Sequence, residues 1–190
     1  GHFNLGTYYA SRGKFLKART EFRHAQNQYM NHNWGYPMPV ELDLNLARVN
    51  WELNSFSEAK KYVLQFLKGF PDSSDGLLLL GKIYQKEGEF KLAEKTFQKI
   101  QKGGLASAKA YNNLGILYIK NNQYEKAQDA FNSSINFYPQ IPDAYYNMGK
   151  LILDSNGNHD LAQKYLALAL RYNKSPSLKE KIDLLLEQAP

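Results

Sequence analysis

The sequence contains no cysteine, which excludes disulfide frameworks, Cys-ligated zinc, iron–sulfur clusters and cysteine nucleophiles. It also lacks a long apolar run: Leu77-Leu78-Leu79-Leu80, for example, is far shorter than the roughly 18 residues that a membrane span requires. Its four histidines are scattered, and none lies in a His-Glu-x-x-His helix or near a predicted serine elbow. We therefore predict a non-catalytic protein with no metal site, no cofactor and no transmembrane segment.

Basic residues outnumber acidic ones, with 24 Lys and Arg against 18 Asp and Glu over 190 residues. The excess is concentrated in residues 1–39, whose five basic residues and one acidic residue give a net charge of +4. No continuous basic stripe or recognition motif accompanies it, so we predict no nucleic-acid binding. The basic patch allows three interpretations: an acidic partner, a membrane surface, or a solvated helix face. Its members are Arg12, Lys14, Lys17, Arg19 and Arg23.

A repeat of 34 residues organises the chain. Gly81, Gly115 and Gly149 are 34 residues apart, and each follows a leucine or a methionine. Ala47 lies 34 residues before Gly81, and Gly6 lies a further 41 residues back, which corresponds to one unit with a seven-residue insertion. After each small residue come an alanine and, four positions later, a large apolar residue. These pairs are Ala18 and Phe22, Ala59 and Val63, Ala93 and Phe97, Ala127 and Phe131, and Ala162 and Leu166.

This pattern resembles the tetratricopeptide repeat (TPR), in which two antiparallel helices form a hairpin and successive hairpins stack into a solenoid. The resemblance is weaker in the second unit, where Ala47 replaces the glycine, and in the fifth, which has an extra residue near Asn156. It implies an all-α, right-handed superhelical solenoid of five helix hairpins with a C-terminal capping helix. In the fourth unit the matching residues are Tyr111, Leu114, Gly115, Tyr118, Ala127, Phe131 and Pro139.

Helical periodicity and turn residues predict the bounds of each hairpin. We expect one solenoid domain over residues 1–190, with units at about 1–31, 40–73, 74–107, 108–141 and 142–175 and a capping helix at 176–188. First helices are predicted near 1–12, 40–53, 73–87, 107–121 and 142–155, and second helices near 15–31, 56–69, 90–103, 124–137 and 158–172. Left-handed turn residues are predicted at Gly13, Asn54, Gly88, Asn122 and Asn156-Gly157, and a helix-ending turn at Lys102-Gly103-Gly104-Leu105.

The insertion after the first unit contains two aromatic residues, Trp34 and Tyr36, the second of which is followed by Pro37. One interpretation is that both rings fold back and fill the space left by the longer connection. The other is that the loop contacts a partner protein, because exposed aromatic residues in loops are common binding residues.

In the TPR family, the first helices of successive repeats line a concave groove in which partner peptides lie. Carried over to this chain, the resemblance implies binding of a protein or peptide with acidic segments. Basic side chains would attract its carboxylates, and amide side chains would bond its backbone. Alternatively, the amides are solvated residues that the repeat tolerates. The predicted partner-binding residues are Arg48, Trp51, Lys82, Lys86, Asn113, Lys120, Tyr146, Asn147 and Lys150.

Three classes of TPR protein compete as relatives. The co-chaperone class grips acidic chaperone tails with fixed Lys, Asn and Arg positions. Asn113 matches that pattern, but Leu78, Lys82 and Asn147 depart from it, so we predict that this clamp is absent. The other two classes are an interaction module of a larger regulatory protein and a pilotin-like lipoprotein that assists type IV pilus secretin assembly.

The first residues of the chain are relevant to the pilotin-like class. Residues 2–22 are similar to the first repeat of pilotin-like lipoproteins, and the chain begins with Gly1 rather than Met, so we expect upstream residues to be missing. The pilotin-like class predicts a periplasmic or outer-membrane-anchored protein, and the other classes predict a cytoplasmic one. The coarser prediction that all three classes share is a protein-interaction scaffold that helps assemble a larger complex.

Overall fold

A computed structural model describes residues 1–31, 38–101, 103–156, 158–173 and 175–188 of the chain. Within these ranges every regular element is a helix, and none of the helices is long and apolar enough to cross a membrane. Two compact units form, residues 1–96 and residues 97–190, and each is described by itself. The single solenoid domain over residues 1–190 stays a prediction.

The helices alternate between first and second members of hairpins, as the 34-residue period predicts. In chain order they are α1 (His2–Ser11), α2 (Phe15–Asn31), α3 (Glu41–Glu52), α4 (Phe56–Gly69), α5 (Ser74–Lys86), α6 (Phe90–Gln98), α7 (Gly104–Lys120), α8 (Tyr124–Phe137), α9 (Pro142–Asn156), α10 (His159–Tyr172) and α11 (Pro176–Gln188). Nearly all of these bounds agree with the predicted ones to within a few residues. The predicted capping helix is α11.

The third unit differs from the prediction. Its second helix, α6, ends at Gln98 instead of extending to residue 103, and α7 begins at Gly104 instead of residue 107. Gly103 explains the early start, because it has a φ of 72°, which favours glycine, and its backbone N–H donates a hydrogen bond to Ser107 Oγ at 2.9 Å. Gly103 therefore precedes a helix rather than ending one.

Tight turns join the helices of each hairpin. Gly13, Asn54, Gly88 and Asn122 have φ values of 69°, 56°, 80° and 56°, which confirms the predicted left-handed conformation at these four positions. Glycine adopts this conformation without strain, and asparagine tolerates it better than most other residues. The fifth predicted turn falls on Asn156-Gly157, of which Gly157 lies outside the described residues.

Small residues on first helices allow second helices to approach closely. A Cβ atom added to Gly115 in α7 would lie only 2.4 Å from Phe131 Cε1 in α8. At Gly149 the added atom would lie 2.7 Å from Leu166 Cγ in α10. These contacts join the small residue of a first helix to the large apolar residue of its second helix, which are two of the residue types that recur at the 34-residue period. Gly6 and Phe22 repeat the arrangement between α1 and α2.

The core of the first unit forms between the apolar faces of α1 to α5. In α2 the buried residues Ala18, Phe22 and Ala25 are spaced by four and three residues, so they lie on one helical face. Asp43 in α3 is the exception, because this residue carries a charge yet is only 8% exposed, and burial raises the pKa of its carboxyl group. One period later, Leu77 occupies the corresponding position in α5.

The core of the second unit includes side chains from α8 to α11. Tyr145 in α9 lies within it, where its hydroxyl donates a hydrogen bond to the carbonyl of Pro139 at 3.0 Å and its ring stacks on Tyr172 at 5.6 Å. Burial and the neighbouring tyrosines raise the pKa of Tyr145. Ile182 of α11 is 2% exposed in the same cluster, so the capping helix buries one apolar face in this unit.

Candidate functional site

The first helices of neighbouring hairpins contact one another within each unit: α1 with α3, α3 with α5, and α7 with α9. The solvent-accessible side chains of α3 and α5 form one candidate surface, which we call the α3–α5 face. Those of α7 and α9 form a second, the α7–α9 face. All nine predicted partner-binding residues lie on these four helices.

On the α3–α5 face, Arg48 has an acidic partner. Its Nη2 atom lies 2.8 Å from Asp75 Oδ2, and both side chains are about half-exposed or more, at 49% and 63%. The ion pair joins α3 to α5 and neutralises the charge of Arg48. Arg48 was predicted to attract a partner's carboxylates, but a carboxylate of its own chain already occupies this position.

The aromatic residue predicted for this face is partly in the core. Trp51 is half-buried against the apolar cluster of the first unit, and its ring meets that of Phe56 edge-on at 5.2 Å. Lys86 Nζ lies 5.8 Å from the Phe56 ring centroid, within cation–π range. Lys82 is exposed and forms no ion pair with a residue that the structure describes. It is therefore the most available cation of the α3–α5 face.

At the α7–α9 face, two amide side chains bind each other. Asn147 is half-buried, whereas Asn112 and its neighbour Asn113 are only 8% and 9% exposed. Asn147 Nδ2 in α9 donates a hydrogen bond to Asn112 Oδ1 in α7 at 2.9 Å. Asn112 Nδ2 and Asn147 Oδ1 form no hydrogen bond to any described residue, so the pair keeps one donor and one acceptor. Asn113 behaves differently, because its Nδ2 atom donates to the carbonyl of Lys109 at 2.7 Å, within its own helix.

Apolar and charged residues lie on the same two helices as the amide pair. Tyr146 and Ile116 are half-buried, so each leaves part of its apolar surface accessible. Lys120 and Lys150 are exposed, as are Asp143 and Asp154 on α9. The α7–α9 face is thus a mixed surface of amides and apolar groups with charges of both signs.

Sequence reasoning missed the partners that bind two of the predicted residues. Arg48 and Asp75 are 27 residues apart, and Asn112 and Asn147 are 35 residues apart. The second separation is one repeat plus one residue, and the first is one repeat less seven residues, or about two helical turns, so both place the partners on adjacent first helices. The two predicted loop contacts, Trp34 and Tyr36, lie outside the described residues.

A search for a metal site concerns the part of the chain that the structure describes. Among the described residues, no group of three or more histidine, aspartate and glutamate side chains is placed to hold an ion. The ionisable groups with resolved pKa shifts are also separate from one another. Asp43 and Tyr145 are in different units, and Lys60, whose pKa is raised by its hydrogen bond to Glu87 at 2.6 Å, lies on the second helix α4.

Several solved structures share this fold. A thermophilic TPR protein of Thermus thermophilus aligns with a TM-score of 0.77 and 18% identity over 97% of both chains. MamA of Desulfovibrio magneticus aligns with a TM-score of 0.66 and 18% identity over 92% of this chain and 94% of its own. The Rap conjugation gene regulator of plasmid pLS20 aligns with a TM-score of 0.80 and 15% identity over 99% of this chain and 57% of its own. These likenesses confirm the all-α TPR fold.

Family models agree with the fold. Three models described as tetratricopeptide repeat match residues 44–108, 108–141 and 142–176, which together cover the last four predicted units except for the first residues of the second unit. The first hairpin is outside these matches, but Gly6 packs on Phe22 in the same way as in the later hairpins. No curated protein sequence matches the chain. Repeat period, hairpin geometry and family models agree, and the chain belongs to the tetratricopeptide repeat family.

Proposed function

We propose that the protein is a non-catalytic interaction scaffold and that its α7–α9 face binds an extended segment of a partner protein. The observation that carries this proposal is the amide pair of Asn112 and Asn147, which joins α7 to α9 and keeps a donor and an acceptor without partners among the described residues. Repeat proteins of this architecture present extended binding surfaces, and the bond between the amides fixes both side chains before a partner arrives.

The free groups of the amide pair match an extended backbone. Asn112 Nδ2 is suited to a peptide carbonyl and Asn147 Oδ1 to a peptide N–H, which are the groups that an extended chain presents in alternation. Tyr146 and Ile116 provide apolar contact beside the pair. Asn113 contributes less than predicted to this surface, because its amide donor is engaged by Lys109.

Charge adds a modest preference for acidic segments. Lys120 and Lys150 are exposed on the α7–α9 face, and Lys82 and Lys86 are exposed on the α3–α5 face. Exposed ion pairs contribute about 1 kcal/mol or less each and weaken with salt. Because Asp75 neutralises Arg48 and Asp143 lies near the α7–α9 amides, we infer a smaller electrostatic contribution than the sequence predicts.

A structural neighbour supports the binding of peptides by this fold. The Rap regulator was solved in complex with the Phr* peptide, so one solenoid with a TM-score of 0.80 to this chain holds a peptide. The more specific hypotheses are that the protein assembles a larger complex, that it is pilotin-like, or that it is a module of a larger regulator. The pilotin-like hypothesis is supported by the similarity of residues 2–22 and by the longer connection that contains Tyr36-Pro37.

A peptide selected from a random library tests the proposal. Twelve-residue peptides displayed on phage are selected on the wild-type chain, and the best binder is titrated against variants by fluorescence polarisation. Replacing Asn112 and Asn147 together by alanine should weaken binding about tenfold or more, because two hydrogen bonds of about 0.5–1.5 kcal/mol each are lost. Lys150→Ala should weaken binding less, and its effect should vanish at high salt.

A matched control uses a second-helix lysine. Lys164 in α10 is exposed like Lys150 but lies outside the α7–α9 face, so Lys164→Ala should leave affinity unchanged. Thermal denaturation of each variant separates lost binding from lost folding. Equal affinity of the selected peptide for the wild type and the double amide variant would refute binding at this face.

A further inference from the structure

The second helices of the first unit present exposed charges of one sign. On α2, on α4 and on residues 90–96 of α6, the exposed Lys, Arg, Asp and Glu residues are all basic, namely Lys17, Arg23, Lys61, Lys68, Lys91 and Lys95. Exposed acidic residues of the second and third hairpins lie on first helices and in turns instead. The second helices therefore give the first unit an electropositive side.

Acidic residues of these helices do not neutralise the lysines. Glu58 in α4 is half-buried and pairs with Arg23 in α2 at 3.9 Å. Glu94 in α6 is also half-buried and has an interaction of its own. The four exposed lysines of α4 and α6 form no ion pair with a described residue, so their charges are available to a partner.

Two exposed leucines lie on the same helices as these lysines. Leu64 in α4 is 40% exposed, and Leu92 in α6 is 44% exposed. Counted from the alanine of each second helix, the two leucines are equivalent to Arg23 and Glu58, which form the ion pair between α2 and α4. One hairpin later, apolar surface thus takes the place of an ion pair.

Helical geometry places the leucine and the lysines of each helix on one side. At 100° per residue, these three residues span roughly 60° on α4 and roughly 100° on α6. We call the six residues the α4–α6 patch: Lys61, Leu64, Lys68, Lys91, Leu92 and Lys95. Because hairpins precede and follow α4 and α6 in the chain, the exposure of this patch does not arise from a chain terminus.

The second helices of the second unit differ. On α8 and α10 the exposed charges are balanced, with three basic and three acidic residues: Lys126, Lys164, Arg171, Glu125, Asp129 and Asp160. Charge of one sign around exposed leucines is therefore a property of the α4–α6 patch and not of second helices in general.

We propose that the α4–α6 patch binds the surface of a membrane that contains anionic lipids. Helices that lie on a bilayer combine cations, which are attracted to anionic headgroups, with apolar side chains that enter the boundary between headgroups and acyl chains. The lysines of the patch would stay at the headgroups while Leu64 and Leu92 insert. This binding is independent of the α7–α9 face, because the two surfaces share no residue.

The chemistry of the patch favours lipid over an acidic peptide. All four cations are lysines, whose ammonium groups act as point charges and lack the fork with which arginine binds one carboxylate. Each lysine near an anionic bilayer strengthens binding about fivefold, and the attraction falls off within a Debye length. We therefore expect binding at about 0.1 M salt that is largely lost at about 0.5 M salt.

Co-sedimentation of the chain with lipid vesicles tests the charges. Phosphatidylcholine vesicles that contain about 30% phosphatidylserine should bind the chain, and vesicles of phosphatidylcholine alone should not. Replacing Lys61 and Lys95 together by glutamate should weaken binding at least about 30-fold. The matched control replaces Lys126 and Lys164 by glutamate, which changes the net charge equally and should leave binding nearly unchanged. Lys164 occupies in α10 the repeat position of Lys95 in α6.

A fluorescent label tests the insertion of the leucines. Because the chain contains no cysteine, Leu92→Cys creates a single attachment site for the polarity-sensitive dye nitrobenzoxadiazole. The emission of the dye should increase and shift to shorter wavelength when anionic vesicles are added. Leu161 in α10 occupies the equivalent repeat position and is 39% exposed, so the dye at Leu161→Cys is the control and should not respond.

Thermal denaturation shows whether each variant folds, and the label experiment leaves all lysines in place if the charge-reversed variant does not. A wild-type chain that does not bind anionic vesicles would overturn the proposal. Equal binding by the two charge-reversed variants would also overturn it, as would equal responses of the two labels. Tighter binding to soluble polyglutamate than to anionic vesicles would overturn it in favour of an acidic protein as the partner.

Discussion

The close approach of α7 and α8 at Gly115 can be tested with one added methyl group. In Gly115→Ala the new Cβ would lie 2.4, 2.6 and 2.7 Å from three ring carbons of Phe131. Carbon atoms in contact are normally about 3.5–4.0 Å apart, so either the ring or a helix must move by about 1 Å. Phe131 is 0% exposed, and its surroundings leave little room for that movement.

Two opposing effects set the magnitude. Alanine favours a helix over glycine by about 1 kcal/mol, which would stabilise the variant. Overpacking of a filled core costs about 1–3 kcal/mol and can cost more when the contact is with a buried ring. We expect a net loss of about 1–2 kcal/mol in the free energy of unfolding for Gly115→Ala. Gly115→Leu should lower the free energy of unfolding further, because the leucine side chain places additional carbon atoms in the space that Phe131 occupies.

Chemical denaturation followed by circular dichroism measures this loss, and a second glycine provides the control. Gly69, the last residue of α4, has no atom within 4 Å of an added Cβ, so Gly69→Ala should be neutral or slightly stabilising. Phe131→Leu should make Gly115→Ala less costly, because the smaller side chain vacates part of the contact. If Gly115→Ala is as stable as Gly69→Ala, the close packing of this hairpin is wrong.

Two further predictions concern buried polar groups. Because burial raises the pKa of Asp43 above its ordinary value of about 4, the folded state holds its proton more tightly and this group destabilises the fold as pH rises above about 4. Asp43→Asn should therefore raise the midpoint temperature of thermal unfolding at pH 7, and the increase should become smaller toward pH 4. An equal increase at pH 7 and pH 4 would contradict the raised pKa of Asp43. Tyr145→Phe removes the hydrogen bond to the Pro139 carbonyl and should lower the free energy of unfolding by about 1 kcal/mol in a denaturant titration, whereas no loss would mean that water replaces the bond.

The hairpins could be predicted because the sizes of the residues on their facing sides determine how the two helices align. A small residue at Gly115 or Gly149 and a large one at Phe131 or Leu166 fix which faces meet, because the large side chain packs directly against the glycine. The turn residues add independent information, because a left-handed φ restricts the choice to glycine and asparagine at Asn122 and its equivalents. Local propensity and global packing agree at these positions.

The candidate surfaces were less predictable. Helical spacing places Arg48 on an exposed face, but the ion pair with Asp75 depends on the rotamers of two exposed side chains. Asn113 and Asn147 occupy equivalent repeat positions, yet one amide bonds its own helix and the other bonds Asn112. Gly103-Gly104 failed as a helix end because glycine is compatible with both ends of a helix.

The three-residue turns of the hairpins have a consequence for how the chain folds. Helices α1 and α2 are separated by residues 12–14, α3 and α4 by residues 53–55, and α7 and α8 by residues 121–123. Contacts this local correspond to low contact order, and helical proteins of that kind fold within microseconds to milliseconds. A ribosome adding about 5–20 residues per second needs roughly 2–7 seconds to make one 34-residue repeat. Each hairpin therefore has time to close before its successor has been synthesised.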